Sequence, residues 1–135
     1  MILKLKQRNG LMNKEKKLRK EIRNGLVAVL YSPGYGAGWS TWNGIRDEVT
    51  DEELIFEPQI VALTIQRDLE EITADQHFEL VEAYCNQTWG ENAVYCGGVR
   101  DLEVLWIPEG TLFKINEYDG SESIEYKEND YWMVA

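Results

Sequence analysis

The sequence predicts an α+β domain: an antiparallel β-meander of four to five strands packed by two or three helices, preceded by a basic N-terminal helix. Three observations carry this. Leu26–Tyr31, LVAVLY, is a continuous apolar run of strand-forming residues. Between 50 and 87 two helix-start patterns each introduce an apolar face of helical period. In the last third, Asp119-Gly120 sits between two strand-like segments, a strong hairpin signal. A length of 135 residues, 44% of them apolar, fits one domain with one core. The organisation expected is a basic helical segment over 1–24 and a single acidic domain over 25–135.

Charge is divided sharply along the chain. Residues 1–24 hold nine Lys/Arg and two Glu, net +7; residues 25–135 hold five Lys/Arg and 22 Asp/Glu, net −17; together they give the overall −10. A body this acidic repels nucleic acid, which makes it an unlikely partner. The basic segment is expected to dock on acidic protein surface, its own chain's or a neighbouring subunit's, with a solvated face or a phosphate contact as the alternatives. No stretch reaches the roughly 18 apolar residues of a membrane span. No secretory signal is expected, because Lys4, Lys6 and Arg8 interrupt the only N-terminal apolar start. A cytoplasmic location is therefore expected. Cys85 and Cys96 read as reduced, buried thiols, with a disulfide between them as the lesser alternative.

Element by element, residues 1–9 read either as a short strand or as a lead-in. Residues 13–24 read as a helix, with Asn13 as N-cap, Gly25 as its stop, and Leu11, Leu18 and Ile22 as a narrow apolar stripe. Leu26–Tyr31 is a buried strand. Ser32 to Gly38 is a loop, since three glycines and a proline in seven residues punctuate any regular element. Thr50 caps a short helix over 50–56, with acidic residues in its first turn. Pro58 opens a second helix, whose core face is Ile60, Val61, Leu63, Ile65 and Leu69. The capping-box pattern of Thr73 and Gln76 opens a third, over about 74–87. Strands are expected at 101–107, 111–118, 121–126 and 131–134. Trp106, Phe113, Ile115, Ile124 and Trp132 are expected on one sheet face.

The candidate binding site is the glycine-rich loop and the two tryptophans that follow it. The residues singled out are Ser32, Gly34, Tyr35, Gly36, Gly38, Trp39, Ser40, Thr41 and Trp42, with Arg46 and Arg100 as the cations an anionic ligand would lean on. A glycine-rich turn after a strand turns successive backbone N–H groups into one concavity, a nest for an anion. Tyr35, Trp39 and Trp42 could stack on a base, an interaction of roughly 1–3 kcal/mol per base. The segment is neither a dinucleotide fingerprint nor a P-loop. Two other readings stay open: a structural turn with core tryptophans, and a protein-partner surface.

Little in the sequence points to catalysis. His77 is the single histidine and reads as a surface or satisfied residue. No nucleophile–base set can be assembled, and no catalytic residue, metal site or cofactor is assigned. The carboxylates from Asp47 to Glu53 read as a solvated, helix-starting run; a small hydrolase built on Asp47 and Glu48 is the remaining enzymatic alternative.

The segments SPGYGAGWSTWN (Ser32–Asn43) and IPEGTLFKINEYDGSESIEY (Ile107–Tyr126), with the terminal Trp132–Ala135, resemble a group of small tailed-phage proteins. The resemblance covers about Leu26 to Ala135. That group has no established activity, so no functional residue is carried over. The resemblance implies a viral origin and residence in a host cytoplasm. In that setting the leading expectation is a non-catalytic, homo-oligomeric binding protein that sequesters a small nucleotide-like or phosphorylated ligand to counter host defence. The alternative is an inhibitor that uses its acidic surface against a host protein.

Overall fold

Leu26–Tyr31 forms the centre of the molecule because both of its edges are paired. The computed structural model describes residues 18–43 and 49–127. In it, strands β1 (Ile22–Arg23), β2 (Leu26–Tyr31) and β3 (Glu103–Pro108) form an antiparallel sheet in the order β1-β2-β3. Strands β4 (Phe113–Tyr118) and β5 (Ser121–Tyr126) form a separate two-stranded sheet. Helices α1 (Asp51–Phe56), α2 (Pro58–Asp68) and α3 (Ala74–Trp89) lie between β2 and β3 in the chain. The α+β class is as the sequence predicts.

A strand buried on both faces needs apolar residues at every position, and β2 supplies them. Ala28 and Leu30 turn to a core shared with Leu54, Ile60, Val61, Leu63, Val81 and Cys85 of the helices. Val27 and Val29 turn the other way, onto a second cluster with Phe56, Ile107, Phe113, Ile124 and Tyr126. The central sheet thus carries helices on one face and the β4–β5 hairpin on the other.

This layering corrects the expected meander. Among the described residues, strand β3 pairs only with β2, and β4 only with β5. Pro108 ends β3, and the turn through Gly110 (φ 92°) carries the chain across to the opposite face. The five aromatic and aliphatic residues expected on one sheet face are accordingly divided: Trp106 packs on the helical core, while Phe113 and Ile124 pack on the second cluster. The strand expected at 131–134, with Trp132, lies outside the described residues.

The helix starts are as expected. Thr50 and Thr73 each complete a capping box, with Glu53 and Gln76 respectively. Pro58 occupies the first turn of α2, behind Glu57 as N-cap.

The basic segment needs a correction where it is described. Ile22 and Arg23 are strand, paired with Val27 and Leu26. Asn24 (φ 53°) and Gly25 (φ 78°) make the two-residue hairpin turn. Asn-Gly is the preferred sequence for that turn, because both positions need positive φ; Gly25 is a hairpin residue and not a helix stop. Leu18 packs on the second cluster, Arg19 binds Glu57 at 2.6 Å, Lys20 sits over the Phe56 ring at 4.6 Å, and Arg23 sits over Trp106 at 5.2 Å. Arg19, Lys20 and Arg23 therefore dock on the chain's own body. Residues 1–17, including the rest of the expected helix and the 1–9 segment, lie outside the described residues.

Candidate functional site

The chain leaves β2 at Tyr31 and enters the glycine-rich loop, which ends in a single 3-10 turn, Ser40–Trp42. Its amides converge, as a nest requires, and they converge on a carboxylate of the same chain. Glu122 of β5 is 1% exposed. Its Oε1 accepts from the Ser32 amide at 2.8 Å. Its Oε2 accepts from the Trp39 amide at 2.7 Å, the Thr41 amide at 3.1 Å and the Thr41 hydroxyl at 2.6 Å. The Glu122 amide in turn donates to the Ser32 carbonyl at 2.8 Å. Charge-assisted bonds of this kind are the strong class; four of them and one backbone bond bind the loop to β5.

Further contacts fix the loop's outline. Ser32 Oγ donates to the Gly98 carbonyl, Ser121 Oγ to the Pro33 carbonyl, and the Gly36 amide to the Asp119 carbonyl. A Cβ at Gly38 would lie 2.6 Å from Thr41 Oγ1 and 2.9 Å from Glu122 Oε2. Only glycine leaves room there for the carboxylate. Asn43 closes the far end: its Nδ2 donates to the carbonyls of Trp39 and Tyr95, and its Oδ1 accepts from the Tyr95 amide.

The two tryptophans part company. Trp39 is fully buried, with Nε1 donating to the Leu54 carbonyl at 2.9 Å. It is a core residue and not a stacking platform. Trp42 is 41% exposed and stacks on Tyr95, with ring centroids 5.9 Å apart and planes at 23°. Its Nε1 donates to Glu117 Oε2 at 3.3 Å, and the same oxygen accepts from the Gly120 amide at 2.7 Å. Tyr35 and Tyr118 are exposed on the two turns joined by the Gly36–Asp119 hydrogen bond. Two separate pairs of exposed aromatics thus flank the loop: Tyr35 and Tyr118 on the joined turns, and the stacked Trp42 and Tyr95 beside Glu117.

The remaining sequence candidates distribute as follows. Ser32, Gly38 and Ser40 are buried, Gly34 is half-buried, and Gly36 and Thr41 are exposed. Arg100 is not brought to the loop: it pairs with Asp75 at 2.9 Å and lies over the Phe78 ring at 4.9 Å. Arg46, Asp47 and Glu48 lie outside the described residues. Two open clefts, of about 430 and 270 Å3, lie at the α2–α3 connection and beside the β4–β5 hairpin; neither is lined by residues 32–43.

Sequence reasoning missed Glu122, Glu117 and Tyr95. Glu122 had a signal. In SESIEY it shares strand parity with Ile124 and Tyr126, which face the second cluster, so period-two reading puts this acid inward. Tyr95 had none, since its neighbour Trp42 is 53 positions away.

The buried titratable groups elsewhere are structural. His77 Nε2 lies 3.0 Å from Thr64 Oγ1 and its Nδ1 has no hydrogen-bond partner; burial and the nearby Arg67 lower its pKa to about 4. Cys85 and Cys96 are free and buried. The neighbouring Cys96 and burial push the Cys85 thiol up, and Cys96 Sγ donates to the Val94 carbonyl at 3.8 Å. Among the described residues no three His, Cys, Asp or Glu side chains are grouped to hold a metal, and no helix is long and apolar enough to cross a membrane. Compared with known proteins, the chain matches no family, no curated protein and no solved structure.

Proposed function

We propose that this chain is a non-catalytic binding protein that covers a basic surface on a protein partner, using the exposed aromatics around the loop, Trp42 with Tyr95 and Tyr35 with Tyr118, and the carboxylates of Glu117 and Asp119. The observation that carries this is the placement of the Glu122 carboxylate within the loop's own donors. A phosphate arriving there would find those donors taken and a buried anion in its place. The loop instead holds Tyr35 and Trp42 exposed, with Tyr95 and Tyr118 exposed on neighbouring segments, in a region rich in carboxylates. Exposed aromatics with charged neighbours are the usual material of protein interfaces, and an acidic body steers basic partners toward it.

In the phage setting that the sequence resembles, such a partner is a host factor with a basic working surface. The nucleotide reading retains one supporting feature, the stacked face of Trp42 and Tyr95. Its phosphates would have to lie beside Glu117.

A photo-crosslinking residue at Tyr35 or Tyr118, with Leu80 on α3 as the control position, tests the reading in cells. Adducts with basic proteins at the two tyrosine positions alone, weakening as salt rises, are the expected result. Absence of such adducts, together with a nucleotide that shifts both tryptophan emission and melting temperature, would replace it with ligand sequestration.

A further inference from the structure

We propose that Trp42, Tyr95 and Glu117 form a receptor for one arginine side chain of the partner protein. This deepens the binding reading above and rests on it.

Three observations converge. First, Trp42 and Tyr95 stack in parallel and are each nearly half exposed. Each ring is open to water in part, and the negative face of an aromatic ring attracts a cation. Second, the Glu117 carboxylate is held at the edge of the Trp42 ring. Its Oε2 is fixed by the Trp42 indole and the Gly120 amide, while its Oε1 accepts no hydrogen bond from the described residues. A guanidinium lying on the rings would bring its N–H fork to that oxygen. Third, three other aromatic rings in this chain are already covered by a cation: Phe56 by Lys20, Trp106 by Arg23 and Phe78 by Arg100. Among the described residues, none covers Trp42 or Tyr95.

Charge chooses the occupant's sign, since residues 25–135 carry a net −17. Geometry chooses between the two long cations. Guanidinium is planar, weakly hydrated and able to stack while it donates in its own plane; ammonium is compact, strongly hydrated and does neither well. A phosphate or carboxylate ligand would meet Glu117 as a like charge.

The test uses the full chain and two ten-residue peptides of equal charge, one built on arginine and one on lysine. Binding is followed by the indole N–H resonance of Trp42, assigned by its loss in Trp42→Phe. We expect the arginine peptide to shift that resonance and to bind at least about fivefold more tightly than the lysine peptide at 0.15 M salt. Glu117→Gln, which keeps an acceptor for the Gly120 amide, should weaken the arginine peptide by about fivefold with no change in melting temperature. Tyr95→Leu should remove the preference for arginine.

Equal affinities that still depend on Trp42 would overturn the arginine receptor and leave the basic-partner reading standing. Binding that ignores Trp42, Tyr95 and Glu117 would overturn it in favour of diffuse charge attraction. Failure of both peptides to bind would overturn both readings. A self-association that is lost in Trp42→Ala would assign the patch to a second copy of this chain and overturn the foreign partner.

Discussion

Thr41 reaches one oxygen of Glu122 twice, through its amide at 3.1 Å and its hydroxyl at 2.6 Å. The two residues are 81 positions apart, so the contact ties the last turn of the glycine-rich loop to the hairpin on the far side of the central sheet. Trp39 and Ser32 complete the carboxylate's shell. One buried acid thereby determines where the loop sits and which of its aromatics face water.

Replacing that acid is therefore expected to unfold the loop's support. Glu122→Ala leaves the Ser32, Trp39 and Thr41 amides without their acceptor in a dry site, at a cost of about 3 kcal/mol or more. Glu122→Gln keeps one acceptor oxygen and turns an NH2 group toward the other donors, at about 2 kcal/mol. Urea unfolding followed by tryptophan emission measures both. A loss below about 1 kcal/mol in Glu122→Ala would mean that water replaces the carboxylate and the loop stands without it.

How much of this was legible differs by level. Local signals with a one-to-one physical cause read well: the apolar run of β2, the Thr50 and Thr73 caps and the Asp119-Gly120 turn all lie where the sequence puts them. The amides of the glycine-rich loop do converge, but on Glu122 of the same chain. An outside anion is the expectation because no local pattern says that a strand 81 residues beyond Thr41 delivers a carboxylate. The division of the meander is equally invisible, since β3 and β4 have the alternation of neighbours and only tertiary packing puts β3 beside β2 in the central sheet and β4 in a second sheet on its face. Asn24-Gly25 was legible and was outweighed by the helical look of the charges before it, a contest that turn geometry wins once Leu26–Tyr31 needs an edge partner.

Trp39 and Trp42 should separate cleanly under mutation. Trp39→Ala empties a fully buried site and removes the bond to the Leu54 carbonyl, a loss of about 3–5 kcal/mol. Trp42→Ala removes a half-exposed ring and should cost about 1 kcal/mol or less. Thermal melts of the two variants check this. Acrylamide quenching checks the same contrast in the native protein: the emission lost in Trp42→Phe should be the quenchable part, and the emission lost in Trp39→Phe the protected part.

The docking of the basic segment gives a salt-dependent prediction. Arg19 is largely exposed, while its partner Glu57 is buried and also receives the Gln59 amide at the start of α2. Solvent screening around Arg19 limits the pair to about 1 kcal/mol. Arg19→Ala should cost about that in low salt and less in 1 M NaCl. Glu57→Ala should cost more than Arg19→Ala, since it also removes the cap of α2. A double-mutant cycle isolates the ion pair from the cap, and a coupling that does not fall with salt would show that the contact is packing and not charge.

His77 makes the fold sensitive to acid. Its pKa falls from an ordinary 6.5 to about 4 in the folded chain, because burial and Arg67 disfavour the imidazolium. The unfolded state therefore binds the proton first as pH drops. Stability from this group is complete above about pH 6.5, is lost as pH falls toward 4, and changes no further below that. The full shift corresponds to at most about 3 kcal/mol. The comparison of interest is wild type against His77→Gln, whose amide can still meet Thr64 but does not titrate. Urea unfolding across pH 7 to 4 should show the wild type losing stability faster than the variant, the gap opening between about 6.5 and 4. Parallel curves would place the acid sensitivity on carboxylates and leave His77 protonated or neutral alike in both states.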